Sequence, residues 1–177
     1  MSMKFVIISD THGRADLVSE VLRIHRVRDG VLFLGDGIKD VSAERCTEGG
    51  SLFAGVKGNC DPYSFGFADT EYPYERIFSA GEYTISMMHG HTRSVKSGLD
   101  EAICYSARQG ANVLLYGHTH IPFEKYYPEG TNIGGFVLMR DMYVFNPGSL
   151  GNPTDGRHTY GLMQIRNGHI LFSHGEI

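Results

Sequence analysis

Phe5-Val6-Ile7-Ile8-Ser9-Asp10-Thr11-His12-Gly13 is the stretch on which the fold turns. Four apolar residues, three of them β-branched, run without interruption and give way to a serine, a carboxylate and an imidazole. Such a run bounded by polar residues predicts a buried strand over Phe5–Ile8. Asp10 and His12 then lie just past its C-terminal end, where open α/β sheets place their ligands. Alternate side chains of an extended chain share a face, so a hard oxygen and a borderline nitrogen can reach one ion from here. An isolated Asp-x-His is equally a solvated turn, and its meaning depends on how the later strands end.

The later strands end alike. Leu17, Val18, Val21, Leu22 and Ile24–Val27 at helical spacing predict a first crossover helix over Ala15–Arg28, with Asp16 in its first turn and Gly30 as its closing glycine. Val31–Leu34 reads as a second buried strand and runs into Gly35-Asp36-Gly37. Residues 38–50 are polar, with room for a short helix around Asp40–Arg45. Ser51–Val56 reads as a third strand, followed by Lys57-Gly58-Asn59-Cys60-Asp61-Pro62. The Tyr-, Phe- and Pro-rich stretch from Pro62 to Tyr74 has no period and reads as an aromatic loop beside the core.

Arg76–Ser79 and Tyr83–Met88 flank Ala80-Gly81-Glu82 and predict a hairpin whose second strand ends in His89-Gly90-His91. Asp100–Gln109 fits a second crossover helix stopped by Gly110. Asn112–Tyr116 is a further buried strand ending in Gly117-His118-Thr119-His120. Beyond it the pattern is short strands: Phe123–Tyr127, Phe136–Met139, Met142–Phe145, Tyr160–Ile165 and His169–Ser173. Asn146-Pro147-Gly148-Ser149 is one more strand-end loop, and Asn167-Gly168 is a type I′ hairpin turn. Early βαβ units followed by a β-rich tail predict α/β architecture with two mixed sheets face to face and helices outside. No repeat or linker interrupts the chain, so residues 1–177 read as one domain.

Composition narrows the function. The 177 residues carry a net charge of −4, so no basic excess announces a nucleic-acid partner. No apolar run approaches a membrane span or a leader segment. Three cysteines, Cys46, Cys60 and Cys104, form no Cys-x-x-Cys pair. That argues against a zinc ribbon or disulfide scaffold and for a reducing, cytoplasmic setting.

The strand ends together supply Asp10, His12, Asp36, Asn59, His89, His118 and His120. Any one of them alone is an ordinary turn residue. All seven in strand-end order point to a metal centre. Counted as ligands they suit two ions, with Asp36, mid-set, as the bridge. Oxygen plus imidazole without a thiolate cluster suits manganese, nickel, zinc or iron rather than calcium. Two divalent ions against two carboxylates leave a positive site that attracts a phosphoryl group and favours hydroxide at neutral pH.

The order Asp-x-His, Gly-Asp, Gly-Asn, His, Gly-His-x-His resembles the calcineurin-like metallophosphoesterase superfamily. Gly58-Asn59-Cys60-Asp61 and Asn146-Pro147-Gly148-Ser149 resemble, more narrowly, the YfcE-like phosphodiesterases. The resemblance covers Phe5 to about Gly151. It implies a four-layer αββα sandwich, a first metal on Asp10, His12, Asp36 and His120, and a second on Asp36, Asn59, His89 and His118. It implies hydrolysis of a small phosphodiester by a metal-bridging hydroxide, with manganese as the expected metal. The expected partner is that small substrate, with no membrane and with homo-oligomerisation left open. Most of the superfamily has histidine where this chain has Cys60; that histidine protonates the leaving group, with Asp61 as its usual partner. Cys60 is therefore either a weak substitute acid or only a small buried residue. Asp36, Asn59, Cys60, Asp61 and His91 are the candidate catalytic residues, with Arg93 and Arg14 as further substrate-side candidates. The rival functions are a Vps29-like protein-interaction scaffold on the same fold, a nucleotide phosphodiesterase or nuclease, and a protein phosphatase.

Overall fold

Strand β1 (Ser2–Ile8) shows why two sheets form. Its alternate residues serve two different cores: Phe5 and Ile7 point into the layer between the sheets, and Val6 and Ile8 point outward beneath a helix. A strand buried on both faces loses the polar alternation of a surface strand and becomes a continuous apolar run. The same division holds in β2 (Gly30–Phe33), where Leu32 faces inward, and Val31 and Phe33 face outward. The structure is a computed structural model that describes residues 2–41, 46–62 and 72–177.

Sheet one has the order β12-β11-β1-β2-β3, with β3 at Leu52–Gly55, β11 at Thr159–Arg166 and β12 at His169–Glu176. Sheet two has the order β4-β5-β6-β10-β7, built from Glu75–Ala80, Tyr83–Met88, Val113–Tyr116, Met142–Pro147 and Pro122–Tyr127. Phe5, Ile7 and Leu32 meet Ile85, Met87, Val113, Leu115 and Phe145 in the central core. Helix α1 (Ala15–Ile24) covers the outer face of sheet one with Val18, Val21 and Leu22. Helix α2 (Asp100–Arg108) covers the outer face of sheet two with Ala102 and Ile103 against Met88, Leu114 and Tyr116. The four layers αββα are those expected from the sequence.

The topology aims the strand ends at one place. β1, β2 and β3 are parallel, and so are β5, β6 and β10. Every loop named above as a candidate ligand therefore leaves from a C-terminal end. The two sets of ends are tied across the seam: Leu150 N–H donates to the Ser9 carbonyl at 3.1 Å, and Gly151 N–H to the Asp10 carbonyl at 2.9 Å.

Three expectations need correction. Helix α1 stops at Ile24, not Arg28. Arg28 is buried and turns back, its guanidinium donating to the carbonyls of Leu22 and His25, so it caps the helix from outside. Gly30 is not the closing glycine; it opens β2, where a Cβ would stand 2.8 Å from the Phe5 ring. Phe136–Met139 is not one strand: only Phe136–Val137 (β9) is extended, paired with Asn132–Ile133 (β8) about the Gly134-Gly135 turn. The short helix around Asp40–Arg45 and the aromatic stretch lie largely outside the described residues; Ile38–Asp40 forms a single 3-10 turn. Gly110 (φ 81°) does stop α2, and Asn167 (φ 52°) with Gly168 (φ 77°) does make the type I′ turn between β11 and β12.

Candidate metal centre

The candidate ligands sit on strained backbone. Seven non-glycine residues among those described have positive φ, and five are Asp10 (53°), His12 (40°), Asp36 (58°), His118 (66°) and His120 (60°). Such conformations cost about 1–3 kcal/mol each and persist only where the surroundings over-determine them. Here the surroundings are hydrogen bonds between loops. Asp10 N–H donates to the Gly35 carbonyl and Thr11 N–H to the Asp36 carbonyl, each at 2.9 Å. The Asp40 carboxylate accepts from the Thr11 hydroxyl at 2.6 Å and from Gly13 N–H at 2.8 Å.

Asp61 does the same for the loops after β2 and β3. Its Oδ1 accepts from the N–H groups of Gly37 and Ile38, each at 2.8 Å, and its Oδ2 from Asp36 at 2.9 Å and Gly58 at 2.8 Å. Both oxygens of this buried carboxylate are committed to backbone. Gly58 has no alternative, because a Cβ there would fall 2.6 Å from the Asp36 nitrogen.

Asp10 and Asp36 lie at the centre and are buried. Asp10 Oδ2 accepts from the Ser9 hydroxyl at 2.5 Å and from His118 N–H at 3.1 Å. Asp10 Oδ1 is buried without a hydrogen bond among the described residues. It faces the Nε2 atoms of His120 at 3.1 Å, and of His12 and His89 at 3.9 Å. Asp36 Oδ1 accepts from Cys60 N–H at 2.7 Å, while its Oδ2 stands 3.3 Å from His89 Nε2 and 4.0 Å from His12 Nε2.

The imidazoles are oriented as ligands are. His89 Nδ1–H donates to the Leu34 carbonyl at 2.8 Å, and His120 Nδ1–H to the Asn152 carbonyl at 2.6 Å. Those bonds fix the tautomer and leave each Nε2 lone pair directed inward. Nitrogens converge closely: His12 Nε2 to His120 Nε2 at 3.4 Å, and His89 Nε2 to His118 Nδ1 at 3.1 Å.

The charges follow from this crowding. Burial opposes ionisation of Asp36, but His89 and the Cys60 amide outweigh it and hold the carboxyl well below the usual range. Burial lowers the His89 pKa, and the Asp36 and Asp10 carboxylates more than restore it, so it ends raised. His120 is raised chiefly by its contact with Asp10. His118 is pushed down to about 4, first by burial and then by His89 and Lys96.

Three sets of donors bring their ligand atoms within 4.8 Å of one another: Asp10 with His12 and His120, Asp36 with His89 and His118, and His12 with Asp36 and Cys60. An unpaired buried carboxylate oxygen facing three imidazole nitrogens fits a divalent cation. The residue types, hard oxygen and imidazole, fit the transition ions expected from the sequence.

The remaining candidates divide. Asn59 and Cys60 are on an exposed turn, with the Asn59 amide donating to Cys60 Sγ at 3.2 Å. Cys60 is exposed, so the small buried residue is ruled out. Slight desolvation of the sulfur and the Asp36, Asp61 and Asp10 carboxylates push the thiol pKa up. His91 lies beside the centre, its ring 5.4 Å from that of His89 and 6.2 Å from that of His118, and its Nδ1 is buried without a hydrogen bond among the described residues. Arg93 turns away, its guanidinium on Glu75 at 2.7 Å and 3.8 Å from the Tyr105 ring centre. Arg14 is paired with Asp16 at 2.8 Å. A cavity of about 360 Å³ opens beside His12, Asp36, Lys39 and Cys60.

Sequence reasoning missed the supports. Ser149 Oγ donates to the Asp10 carbonyl at 2.8 Å and accepts from Asn152 N–H at 2.8 Å. Buried Asn146 donates to the Gly117 carbonyl and the Thr119 hydroxyl, each at 3.0 Å. The Asn146–Ser149 loop was visible as a strand end, but nothing in its spacing says that it holds Asp10 and the His118–His120 turn.

The comparisons with known proteins agree with this geometry. Residues 3–168 match the calcineurin-like phosphoesterase superfamily domain. A probable metallophosphoesterase of Bacillus subtilis, YsnB, is 29% identical over 169 residues, covering 93% of this chain and 86% of the relative. A predicted phosphoesterase of Streptococcus pneumoniae superposes with a TM-score of 0.74 at 23% identity, over 99% of this chain and 90% of that one. An archaeal phosphodiesterase gives 0.67 at 19% identity, covering 99% and 100%. Vps29 of Cryptosporidium parvum gives 0.66 at 18%, covering 99% and 98%. At these identities the three structures share the fold.

Proposed function

The chain belongs to the calcineurin-like phosphoesterase superfamily, and from that premise we propose that it is a metal-dependent phosphodiesterase with a dinuclear centre. The observation that carries the proposal is the sharing of donors: Asp36 belongs to two of the three ligand sets, and His12 links them to Asp10 and His120. Asp10, His12, Asp36 and His120 would hold one ion, and Asp36, Asn59, His89 and His118 the other. Manganese is the expected metal, with nickel, zinc or iron as alternatives. When bound, the ions supply Lewis acidity and hydroxide at neutral pH.

The chain's own groups do the rest. Asp61 holds Asp36 and Gly58 in register through backbone, and Leu34 and Asn152 hold the ligand rings by their carbonyls. His91, pushed toward its neutral form by burial and by His89, offers an N–H to a phosphoryl oxygen at the mouth of the centre. Cys60 is the group nearest the position of a general acid, and a thiol held protonated by its carboxylate neighbours is a weak one. A diester with a good leaving group is therefore the favoured substrate, and a phosphoprotein is disfavoured. With a net charge of −4, a small substrate fits better than a long nucleic acid.

The test is a substrate panel on the manganese-loaded protein: bis(p-nitrophenyl) phosphate, p-nitrophenyl phosphate and a phosphoserine peptide. We expect the diester to lead in kcat/KM by about tenfold or more, a difference of about 1.4 kcal/mol in barrier. A faster monoester or peptide contradicts the diesterase assignment. Tight metal binding with no turnover of any substrate favours the scaffold function of Vps29-like proteins.

A further inference from the structure

Cys60 stands apart from every other donor at the centre because it is soft. The sets Asp10–His12–His120 and Asp36–His89–His118 offer only oxygen and nitrogen. The third set joins Cys60 Sγ to a ring nitrogen of His12 and a carboxylate oxygen of Asp36, all within 4.8 Å. His12 Nε2 and Asp36 Oδ2 are 4.0 Å apart. Donors this close need shifts of an ångström or less to meet one ion, since metal–nitrogen and metal–sulfur bonds are about 2.0–2.3 Å.

The local backbone prepares the sulfur for that role. Cys60 N–H donates to Asp36 Oδ1 at 2.7 Å, which fixes the turn against the carboxylate. The Asn59 amide donates to Sγ at 3.2 Å, a bond of the kind that supports a coordinated thiolate. Cys60 is exposed and lines the cavity beside His12 and Asp36, so an arriving ion meets it without rearrangement of the core.

Resting on the metal-centre reading above, we propose that Cys60 is a conditional ligand: with His12 and Asp36 it forms a mixed sulfur, nitrogen and oxygen set that soft divalent ions engage and manganese does not. Thiolate adds affinity for zinc, cadmium and cobalt, whereas a hard ion gains little from sulfur and keeps to oxygen and imidazole. As the sulfur–metal bond forms, the S–H bond breaks and its proton passes to solvent, with no change of oxidation state. Position 60 thereby sets metal selectivity.

The experiment titrates metal-free protein with cobalt and with manganese, following near-ultraviolet absorption while metal analysis counts the bound ions. Cobalt is expected to produce thiolate-to-metal charge-transfer absorption that Cys60→Ser abolishes. In chelator competition, Cys60→Ser should weaken cadmium by about 10- to 100-fold, the range seen when a metal site loses one supporting group. Manganese affinity should change by less than about threefold. Bound cobalt without charge-transfer absorption, or absorption that survives in Cys60→Ser, overturns the role of Cys60 and leaves the metal centre intact. Failure of every ion to bind overturns both.

Discussion

Cys60 is where this chain departs from the pattern that the family resemblance implies, and its surroundings decide what chemistry is within reach. A leaving alkoxide of high pKa needs a proton in the transition state, and p-nitrophenolate does not. The thiol is a weak donor at its ordinary pKa, and partial burial together with Asp36, Asp61 and Asp10 pushes it further up. A leaving-group series of phosphodiesters on the manganese-loaded protein should therefore show rates falling steeply as leaving-group pKa rises. Cys60→His should make that fall shallower, chiefly by raising alkyl ester turnover. A shallow dependence in the native protein contradicts this view of position 60, because it requires an effective acid. The family resemblance implies Asp61 as the orienting partner of a histidine at this position. Its two oxygens instead take four backbone N–H groups, so an introduced imidazole finds that carboxylate already filled.

Asp61 matters most as the clasp between two loops. It joins the turn after β2, which carries Asp36, to the turn after β3, which carries Asn59 and Cys60. A hydrogen bond to a charged group contributes about 1.5–3 kcal/mol, and donors left without partners cost more. Asp61→Ala should lower unfolding free energy by about 3 kcal/mol or more, read from denaturant melts of the metal-free protein. A variant of native stability that loses only turnover would return Asp61 to a purely chemical role. Elements were the most legible level. Continuous apolar runs located β1, β2 and β6, the hairpin pattern about Gly81 located β5, and glycine chemistry located the end of α2 and the β11–β12 turn. The errors came where a distant partner decides the local outcome. Arg28 ends α1 by folding back on its carbonyls, and Gly30 serves the Phe5 ring rather than the helix. Neither is visible in a window of neighbouring residues.

The molecule as a whole converts two parallel strand sets into one convergent edge, and that is why seven scattered residues could be recognised as a group. Their identity was legible because each follows an apolar run. Their support was not. Positive φ at Asp10, His12, Asp36, His118 and His120, the grip of Ser149 on the Asp10 carbonyl, and the carbonyl partners of His89 and His120 all arise from loops far apart in sequence. The fold sets this strain against the sandwich core, which holds Phe145, Ile7 and Leu32 fully buried between the sheets. A centre so assembled should take up its ions as a unit, with Asp36 common to both. The direct test is metal stoichiometry of the native protein and Asp36→Asn under manganese-replete conditions, with diesterase activity measured on the same samples. The prediction is about two ions per native chain, as a clamp of the two-metal type requires, and loss of metal and nearly all turnover in a variant that still folds. A single ion in the native protein, or full activity in Asp36→Asn, would contradict it.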